Sequence, residues 1–337
     1  MLEHGGNLRE ASLRYGIPVK QWLDLSTGIN PIGWPVPALP QACWRRLPEP
    51  CDGLIEAAGS YYGCKALLPV AGSQAAIQLL PMLRPRSRAG VLTPSYGEHA
   101  RAWEQSGHAV TSMTADGIES RLDLLDVLVL VNPNNPTGET FDPATLLRWH
   151  GRLATRGGWL VVDEAFMDAT PEFSIAGYAG IPGLVVLRSV GKFFGLAGAR
   201  TGFVLAWAEL LRKLEDRLGP WPVAGPARLV ARLALEDSQW QKTGRERLIR
   251  AGERLACLLA RHHLSPHGGT ALFQWARTPH AAAIHHQLAM RGILTRHFAE
   301  PSSLRFGLPG KEAEWQRLET ALQNIIEETI PPCPSKP

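Results

Sequence analysis

Lysine, cysteine and long apolar runs are all scarce in this chain of 337 residues. The five cysteines form neither a CxxC pair nor another spacing typical of metal ligands, and such a scattered, odd set indicates reduced thiols in a cytoplasm. No apolar stretch approaches the length of a membrane span, and the first residues lack the hydrophobic segment of a signal peptide. We therefore expect a cytoplasmic globular protein without a membrane anchor.

The charge of the chain is modest, with a formal net charge of +4 and 28 arginines against 7 lysines. A basic balance can indicate nucleic acid binding, but the arginines are dispersed and no helix-turn-helix or RNA-binding signature is present. The same balance suits an enzyme whose ligands are phosphorylated. We favour this second interpretation and expect no nucleic acid partner.

Three short apolar runs in the middle of the chain are each followed by a polar side chain. The runs cover 127–131, 159–162 and 184–187 and are typical of buried strands; Asn135, Asp163 and Lys192 follow them in that order. Because ligands bind at the carboxyl ends of strands in an open α/β sheet, these side chains are expected to converge. An amide, a carboxylate and an amine are the groups that pyridoxal 5'-phosphate (PLP) needs for its phenolic oxygen, its ring nitrogen and its Schiff base.

Each of these residues also has an ordinary structural interpretation. An aspartate after a strand is often a helix cap, a lone lysine is usually a surface group, and Asn-Pro-Thr-Gly is a common turn. Lys192, however, lies between Gly191 and Phe193 rather than on a charged face, and Arg200 follows in a second glycine-containing turn. The ordered occurrence of the whole set favours a PLP site.

The order of segments predicts an α/β protein with two domains. Residues 41–212 alternate strands with amphipathic helices, which predicts a large domain with a mostly parallel sheet covered on both faces. Residues 1–40 are interpreted as an arm and substrate loop, and 213–330 as a small α+β domain that shares its body with the arm. The remaining residues, 331–337, are expected to be a frayed tail.

Glycines mark two expected helix features. Gly72 precedes a predicted helix that runs to about residue 83, and the first N–H groups of such a helix suit an anion. A second helical region over 225–259 contains Gly244, near which we expect an interruption because glycine is a poor helix former.

These motifs resemble the fold-type I PLP enzymes of the class I and II aminotransferase superfamily, over roughly residues 1–330. Within that superfamily, the segments His4-Gly5-Gly6-Asn7 and 24–31 resemble the threonine-phosphate decarboxylases of cobalamin biosynthesis, which are close to the histidinol-phosphate aminotransferases. The resemblance implies decarboxylation of L-threonine O-3-phosphate to (R)-1-amino-2-propanol O-2-phosphate and CO2. Histidinol-phosphate-type aminotransferase activity is the alternative. A cofactor-binding regulator without turnover is a third interpretation, disfavoured by the lack of a DNA-binding module.

The resemblance also implies roles for individual residues at the cofactor. Lys192 would hold PLP covalently, Asp163 would pair with the ring nitrogen, and Asn135 would donate to the phenolic oxygen. The ring would stack on Tyr96. The residues expected to bind the cofactor phosphate come from separate loops and are Gly72, Ser73, Gln74, Ser189 and Arg200.

The substrate residues implied by the resemblance lie near the two ends of the chain. Arg305 would bind the α-carboxylate, which its planar guanidinium can contact with two hydrogen bonds. Arg296 and the arm would bind the substrate phosphate. The other expected substrate contacts are His4, Gly5, Gly6, Asn7, Gly28, Asn30 and Asn135. The resemblance further implies a homodimer whose active sites are completed by the neighbouring chain.

Two positions depart from the pattern of many relatives. Phe166 replaces a tyrosine that donates a second hydrogen bond to the phenolic oxygen, so the pKa of the cofactor–lysine linkage is expected to differ. Leu47 replaces a tyrosine that reaches the cofactor phosphate of the partner subunit, so that single contact is expected to be absent.

Overall fold

A computed structural model of the chain describes residues 4–329. The chain divides into two compact units, of which the larger consists of residues 33–135 and 139–246. The smaller unit contains, among the described residues, 4–32, 136–138 and 247–329. Residue 330 and the predicted tail lie outside the described residues.

The helices and strands of both units are numbered here in chain order. The helices are α1 Leu8–Tyr15, α2 Ala42–Arg45, α3 Leu54–Tyr62, α4 Ser73–Leu79, α5 Glu98–Gln105, α6 Ile118–Arg121, α7 Pro143–Ala154, α8 Ala208–Leu218, α9 Gly225–Glu236, α10 Ser238–Arg261, α11 Ala281–Met290 and α12 Glu312–Thr329. The strands are β1 Leu23–Asp24, β2 Leu67–Val70, β3 Arg88–Leu92, β4 Ala109–Met113, β5 Val127–Val131, β6 Trp159–Asp163, β7 Leu184–Ser189, β8 Gly202–Leu205, β9 Gly268–Thr270, β10 Phe273–Arg277, β11 Ile293–Leu294, β12 Arg296–Phe298 and β13 Ser303–Gly307. None of the described helices is long and apolar enough to cross a membrane.

The larger unit is built on a seven-stranded sheet with the order β2-β8-β7-β6-β5-β3-β4. Strands β7, β6, β5, β3 and β4 are parallel, whereas β8 runs antiparallel to both of its neighbours. The two central strands β5 and β6 are buried at every position, as expected for strands covered on both faces. The predicted mostly parallel sheet is thereby confirmed.

Apolar side chains of alternate strand positions form the main core of this unit. Val129, Val161 and Val185 pack in one cluster with residues of α4, α5 and α8, and Trp103 of α5 is almost fully buried there. Helix α7 packs on β6. Burying a side chain of this size stabilises a fold by about 1.5–3 kcal/mol, so the layer gives the strand ends a rigid base.

The smaller unit contains a four-stranded antiparallel sheet with the order β12-β13-β10-β9. A separate parallel pair joins β1 of the amino-terminal residues to β11. Helix α11 packs against α12, β12 and β13. The amino-terminal residues up to Ile32 therefore belong to the same body as the carboxyl-terminal part of the chain.

Residues 213–246 belong to the larger unit, whereas the boundary predicted after residue 212 placed them in the small domain. Helix α9 packs on α3, and Arg228 Nε donates to Asp52 Oδ2 at 2.6 Å. The Arg228 side chain is largely buried, and Asp52 lies two residues before α3, so this ion pair ties α9 to the segment at the start of α3. The break at Gly219 and Pro220 marks a turn within the unit.

The expected interruption near Gly244 was wrong, because α10 runs through that residue. The break lies at Asp237, between α9 and α10, where Asp237 Oδ1 accepts from the Trp240 backbone N–H at 3.0 Å. A Cβ at Gly244 would lie 3.4 Å from the Phe193 ring, an ordinary packing distance. A glycine inside a continuous helix looks the same in sequence as a helix breaker.

Candidate active site

The three predicted strand ends lie side by side in the larger unit. Val131 at the end of β5 pairs with Asp163, and Asp163 pairs in turn with Leu187 of β7. Asn135 follows four residues after the first of these positions, and Lys192 five residues after the last. The register of these strands thus aligns their carboxyl ends at one edge of the sheet, where the three polar residues are expected to converge.

Asp163 is a buried carboxylate held by two donors. Its Oδ2 lies 3.0 Å from His99 Nε2, and its Oδ1 accepts from the Ala165 backbone N–H at 3.0 Å. His99 belongs to α5 and is 2% exposed, against 3% for Asp163. A carboxylate oxygen accepts hydrogen bonds, so this contact requires the imidazole proton on Nε2. The pair fixes the carboxylate at the carboxyl end of β6.

Tyr96 is anchored through its hydroxyl group. The phenol donates to Gln74 Oε1 at 3.0 Å, and Gln74 Nε2 donates to Glu98 Oε2 at 3.3 Å. Burial raises the pKa of Tyr96 to about 12, with further contributions from the negative charges of Asp163 and Glu98. The ring is therefore neutral at physiological pH and held in a fixed orientation, as a stacking platform requires.

The residues predicted to bind a phosphate gather around two glycines. Gly72 has a φ of +72°, and a Cβ there would lie 2.7 Å from a guanidinium nitrogen of Arg200. Gly202 pairs with Ser189, and a Cβ on Gly202 would lie 2.7 Å from the Ser73 nitrogen. The positive φ of Gly72 and the backbone contacts of Gly202 favour glycine at both positions, and the loops of two distant parts of the sequence come together there. The expected helix to about residue 83 is seen as α4 followed by a 3₁₀ turn over Leu80–Leu83.

Lys192 extends from a loop with an apolar lining. Its Nζ lies 5.4 Å from the centroid of the Phe166 ring, and Phe166 is only 4% exposed. Phe193 and Phe194 are fully buried and anchor the loop after β7. Lys192 therefore lies beside Phe166, which is three residues after Asp163 in the sequence.

Two asparagines position the loop that carries Asn135. Asn132 Oδ1 accepts from the Phe141 N–H at 2.8 Å. Asn134 Nδ2 donates to the Pro94 carbonyl at 2.9 Å, and Ser95 Oγ donates to Asn134 Oδ1 at 2.7 Å. These bonds tie the loop after β5 to the loop after β3, which carries Tyr96.

In the smaller unit, two arginines face each other across neighbouring strands. Arg305 of β13 pairs in register with Arg296 of β12, so their side chains lie on the same face of the sheet. Arg305 is 6% exposed and donates to the Ser26 carbonyl at 2.7 Å. Burial, with a smaller contribution from the Arg296 charge and against the opposing effect of Asp24, lowers the pKa of Arg305 to about 10. Two neighbouring positive charges of this kind would be stabilised by an anion.

The amino-terminal arm packs on the same serine. A Cβ on Gly5 would lie 2.2 Å from the Ser26 carbonyl oxygen, and the Gly6 N–H donates to Ser26 Oγ at 2.7 Å. Ser26 Oγ in turn donates to Asp24 Oδ1 at 2.6 Å. Ser26 therefore links the arm directly to Arg305.

A cavity of about 910 Å³ lies beside the arm. Its lining includes His4, Gly5, Gly6, Asn7 and Arg296, together with Ser26 and three further histidines. The other predicted substrate residues of this unit, Gly28, Asn30 and Arg305, are buried and do not line the cavity as described. Asn30 Oδ1 accepts from the Ile32 N–H at 3.0 Å, which fixes its loop.

The sequence of residues 52–322 matches the model of the aminotransferase class I and II family. The chain belongs to the class I and II aminotransferase family. A curated relative, threonine-phosphate decarboxylase from Pseudomonas aeruginosa, is 59% identical over 327 residues, which cover 97% of this chain and 99% of the relative. The suspected resemblance to threonine-phosphate decarboxylases is confirmed at the level of sequence.

Solved structures confirm the predicted fold-type I architecture of this aminotransferase family member. The L-threonine-O-3-phosphate decarboxylase from Porphyromonas gingivalis has a TM-score of 0.77 at 21% identity, covering 90% of this chain and 99% of that chain. The histidinol-phosphate aminotransferase from Sinorhizobium meliloti, solved in complex with pyridoxal-5'-phosphate, has a TM-score of 0.80 at 20% identity and covers 97% and 96% of the two chains.

The two positions at which a departure from many relatives was predicted differ in their surroundings. Phe166 places an apolar ring beside Lys192, whose Nζ lies over that ring. Leu47 is 63% exposed.

Sequence reasoning missed His99, Ser26 and Asn134. His99 lies three residues after Tyr96, in the segment that follows β3, and this position could have marked it as a candidate site residue. Ser26 and Asn134 lie within the motifs that carried the resemblance, but their contacts involve residues far away in the chain. No local sequence pattern predicts such contacts.

Proposed function

We propose that this chain is a PLP-dependent decarboxylase that converts L-threonine O-3-phosphate to (R)-1-amino-2-propanol O-2-phosphate and CO2, in cobalamin biosynthesis. The observation that carries the proposal is the 59% identity to a curated threonine-phosphate decarboxylase across nearly the whole of both chains. Histidinol-phosphate-type aminotransferase activity is the alternative, with weaker support from 29% identity over 302 residues to a curated histidinol-phosphate aminotransferase and from the similar fold.

The chemistry of the larger unit fits PLP. A buried carboxylate at Asp163 suits a protonated ring nitrogen, and Lys192 would hold the cofactor covalently. The glycine-permitted approach of Arg200 to Gly72, next to Ser73, supports binding of the cofactor phosphate. When bound, PLP supplies an electron sink for the electron pair left on the substrate α-carbon.

Residues of the smaller unit would bind and orient the substrate. Arg305 would contact the α-carboxylate, and Arg296 with the arm would contact the phosphate. Which bond to the α-carbon breaks depends on which one is held perpendicular to the cofactor ring, an effect of orientation. Arg305 would control that choice because it holds the carboxylate that leaves. Its buried position beside a second arginine supports this role, since the pair favours an anion.

We further propose a cytoplasmic homodimer. The four cysteines in the part of the chain that the structure describes are free thiols, in keeping with a reducing compartment. The exposed Leu47 lies near Trp44, which is 66% exposed, and a second copy of the chain would cover such apolar side chains.

One assay separates the two activities. The purified protein is incubated with PLP and phosphothreonine, and release of CO2 is measured in parallel with glutamate formed from added 2-oxoglutarate. A decarboxylase releases CO2 without glutamate. Glutamate formation from histidinol phosphate, without CO2 from phosphothreonine, would instead establish the aminotransferase.

The substitution Gly5→Ala, which adds one methyl group, tests whether the arm selects phosphorylated substrates. Gly5→Ala places a Cβ against the Ser26 carbonyl, so the arm must shift, whereas Gly151→Ala in α7 meets nothing within 4 Å and serves as the control. Gly5→Ala is expected to raise KM for phosphothreonine by at least about tenfold while leaving thermal stability nearly unchanged. An unaltered preference for phosphothreonine over threonine would show that the arm does not bind the phosphate.

A further inference from the structure

Two charged residues stand directly beside the strand ends of the proposed cofactor site. Glu164 follows Asp163, and Arg188 precedes Ser189. Asp163 pairs with Leu187, and the Glu164 backbone N–H donates to the Leu187 carbonyl at 2.9 Å, so Glu164 lies next to Arg188. Because successive side chains of a strand point to opposite faces, this pair lies on the face opposite to Asp163.

The pair is part of a buried network in which Arg188 makes two ion pairs. Arg188 Nη1 donates to Glu164 Oε2 at 2.5 Å, and Arg188 Nη2 donates to Asp168 Oδ1. Both carboxylates are fully buried, and Arg188 is 2% exposed. Ser174 Oγ also donates to Glu164 Oε2 at 2.5 Å.

A second arginine extends the network to α10 and α3. Arg245 Nε donates to the Asp168 carbonyl at 2.8 Å, and Arg245 Nη2 donates to the Tyr61 hydroxyl at 3.1 Å. The guanidinium of Arg188 also lies 4.6 Å from the centroid of the Tyr62 ring. Arg188 thus has fixed neighbours on several elements.

Burial shapes the electrostatics of this cluster. Burial raises the pKa of the Glu164 carboxyl, and the Arg188 charge opposes that effect. Burial likewise disfavours the charged form of Arg188, but Asp168 and Glu164 outweigh it and raise its pKa. Buried ion pairs often add little net stability compared with apolar residues of the same size. Their geometric effect, the joining of two strand ends, is therefore the more informative property.

We infer that Arg188 is a positioning residue: its ion pairs with Glu164 and Asp168 hold the end of β6 against the end of β7. The relative position of the Asp163 carboxylate and the loop from Ser189 to Lys192 follows from that contact. The inference rests on the proposed function, because it is PLP that needs the ring-nitrogen partner and the covalent lysine at a fixed separation.

Substitutions of Arg188 test this inference. Arg188→Met removes the charge but keeps an extended unbranched side chain, and Arg188→Lys keeps the charge but lacks the planar guanidinium whose separate nitrogens contact Glu164 and Asp168. The control is Arg88→Met, which breaks the ion pair of Arg88 with Asp126 at the amino-terminal end of β3. For each protein, the affinity for PLP and the pH midpoint of the visible absorbance band of bound PLP are measured, alongside thermal unfolding. Neither readout requires turnover, so the test remains valid if phosphothreonine is not the substrate.

Both Arg188 variants are expected to weaken PLP binding by about tenfold and to move the absorbance midpoint by about half a pH unit or more. Arg88→Met is expected to change neither. If the Arg188 variants unfold at lower temperature but keep the wild-type affinity and midpoint, Arg188 is a stabilising residue only and the inference is overturned.

Should Arg188→Met fail to fold, Glu164→Gln decides, because it preserves volume and removes one of the two ion pairs. A shifted midpoint in Glu164→Gln supports the positioning role, and a wild-type spectrum and affinity in that variant contradict it.

Discussion

Replacing Arg305 by methionine separates the binding role of this residue from its effect on stability. The pKa of about 10, against an ordinary 12.5, means that holding the charge in its buried site costs about 3 kcal/mol at neutral pH. Loss of the hydrogen bond to the Ser26 carbonyl would cost about 1.5–3 kcal/mol in the opposite direction. We therefore expect Arg305→Met to change the free energy of unfolding by no more than about 1.5 kcal/mol.

The effect of Arg305→Met on binding is expected to be much larger. A ligand at about 100 times its Kd stabilises a protein by about 2.7 kcal/mol. If loss of the carboxylate contact weakens binding by about 100-fold, the same concentration stabilises the variant by only about 0.4 kcal/mol. The ligand effect should therefore nearly vanish while the unliganded stability stays close to that of the wild type.

The assay is urea unfolding of the PLP-loaded protein with an unreactive analogue, 3-phosphonooxybutanoate, which keeps the carboxylate and phosphate but lacks the amine. sec-Butyl phosphate, which lacks the carboxylate as well, is the matched probe and should bind both proteins equally. Arg254→Met, which removes an exposed arginine of the same unit, is the control variant. A destabilisation above about 3 kcal/mol with an unchanged response to the analogue would refute the reasoning and make Arg305 a structural residue.

The alkaline limb of the stability curve gives an independent check of this reasoning. The folded pKa of Arg305 lies below the unfolded value, so its contribution is unfavourable, is fully present below about pH 10, and disappears as the pH rises toward 12.5. The stability of Arg305→Met relative to wild type should therefore decline through that window.

Three further outcomes are expected. Lys192→Ala should abolish turnover and covalent attachment of PLP while leaving the fold intact; borohydride reduction of the wild type followed by peptide mapping must label Lys192 and no other lysine. Asp163→Asn should lower turnover by about 10²–10³-fold with a smaller change in PLP affinity, and a variant near wild-type turnover would make Asp163 a structural cap. Asp126→Asn, at a partly exposed ion pair, should cost about 0.5–1 kcal/mol at neutral pH after solvent screening and leave turnover unchanged. The Asp126 pKa is lowered to about 2, so urea unfolding at several pH values should show this stability above about pH 4 and its loss as the pH falls through 2.

The strand ends were predictable from sequence because their signal is local. The buried runs before Asn135, Asp163 and Lys192 are short, β-branched and followed at once by polar residues, and the strands lie where the pattern placed them. Parallel order then follows from the alternation of strands with helices, which aligns the ends of neighbouring strands.

The remaining features depend on contacts between distant residues, which no local pattern encodes. Gly244 could not be distinguished from a helix breaker by sequence, although α10 runs through it. The assignment of α9 to the larger unit rests on its packing against α3 and on the pair of Arg228 with Asp52. Ser26 joins the arm to Arg305 across almost the whole length of the chain.

The position of β8 has a consequence for how the chain matures. Among the described strands, the edge strand β2 has β8 as its sheet neighbour, although more than 130 residues separate Val70 from Gly202. On a ribosome, the segment around Gly72 must therefore wait until β8 has been synthesised and inserted between β2 and β7. Closing so long a loop is a slow, entropically costly step. Binding of the PLP phosphate by a nascent chain would therefore indicate that the sheet is complete, because Gly72 and Arg200 come together only then.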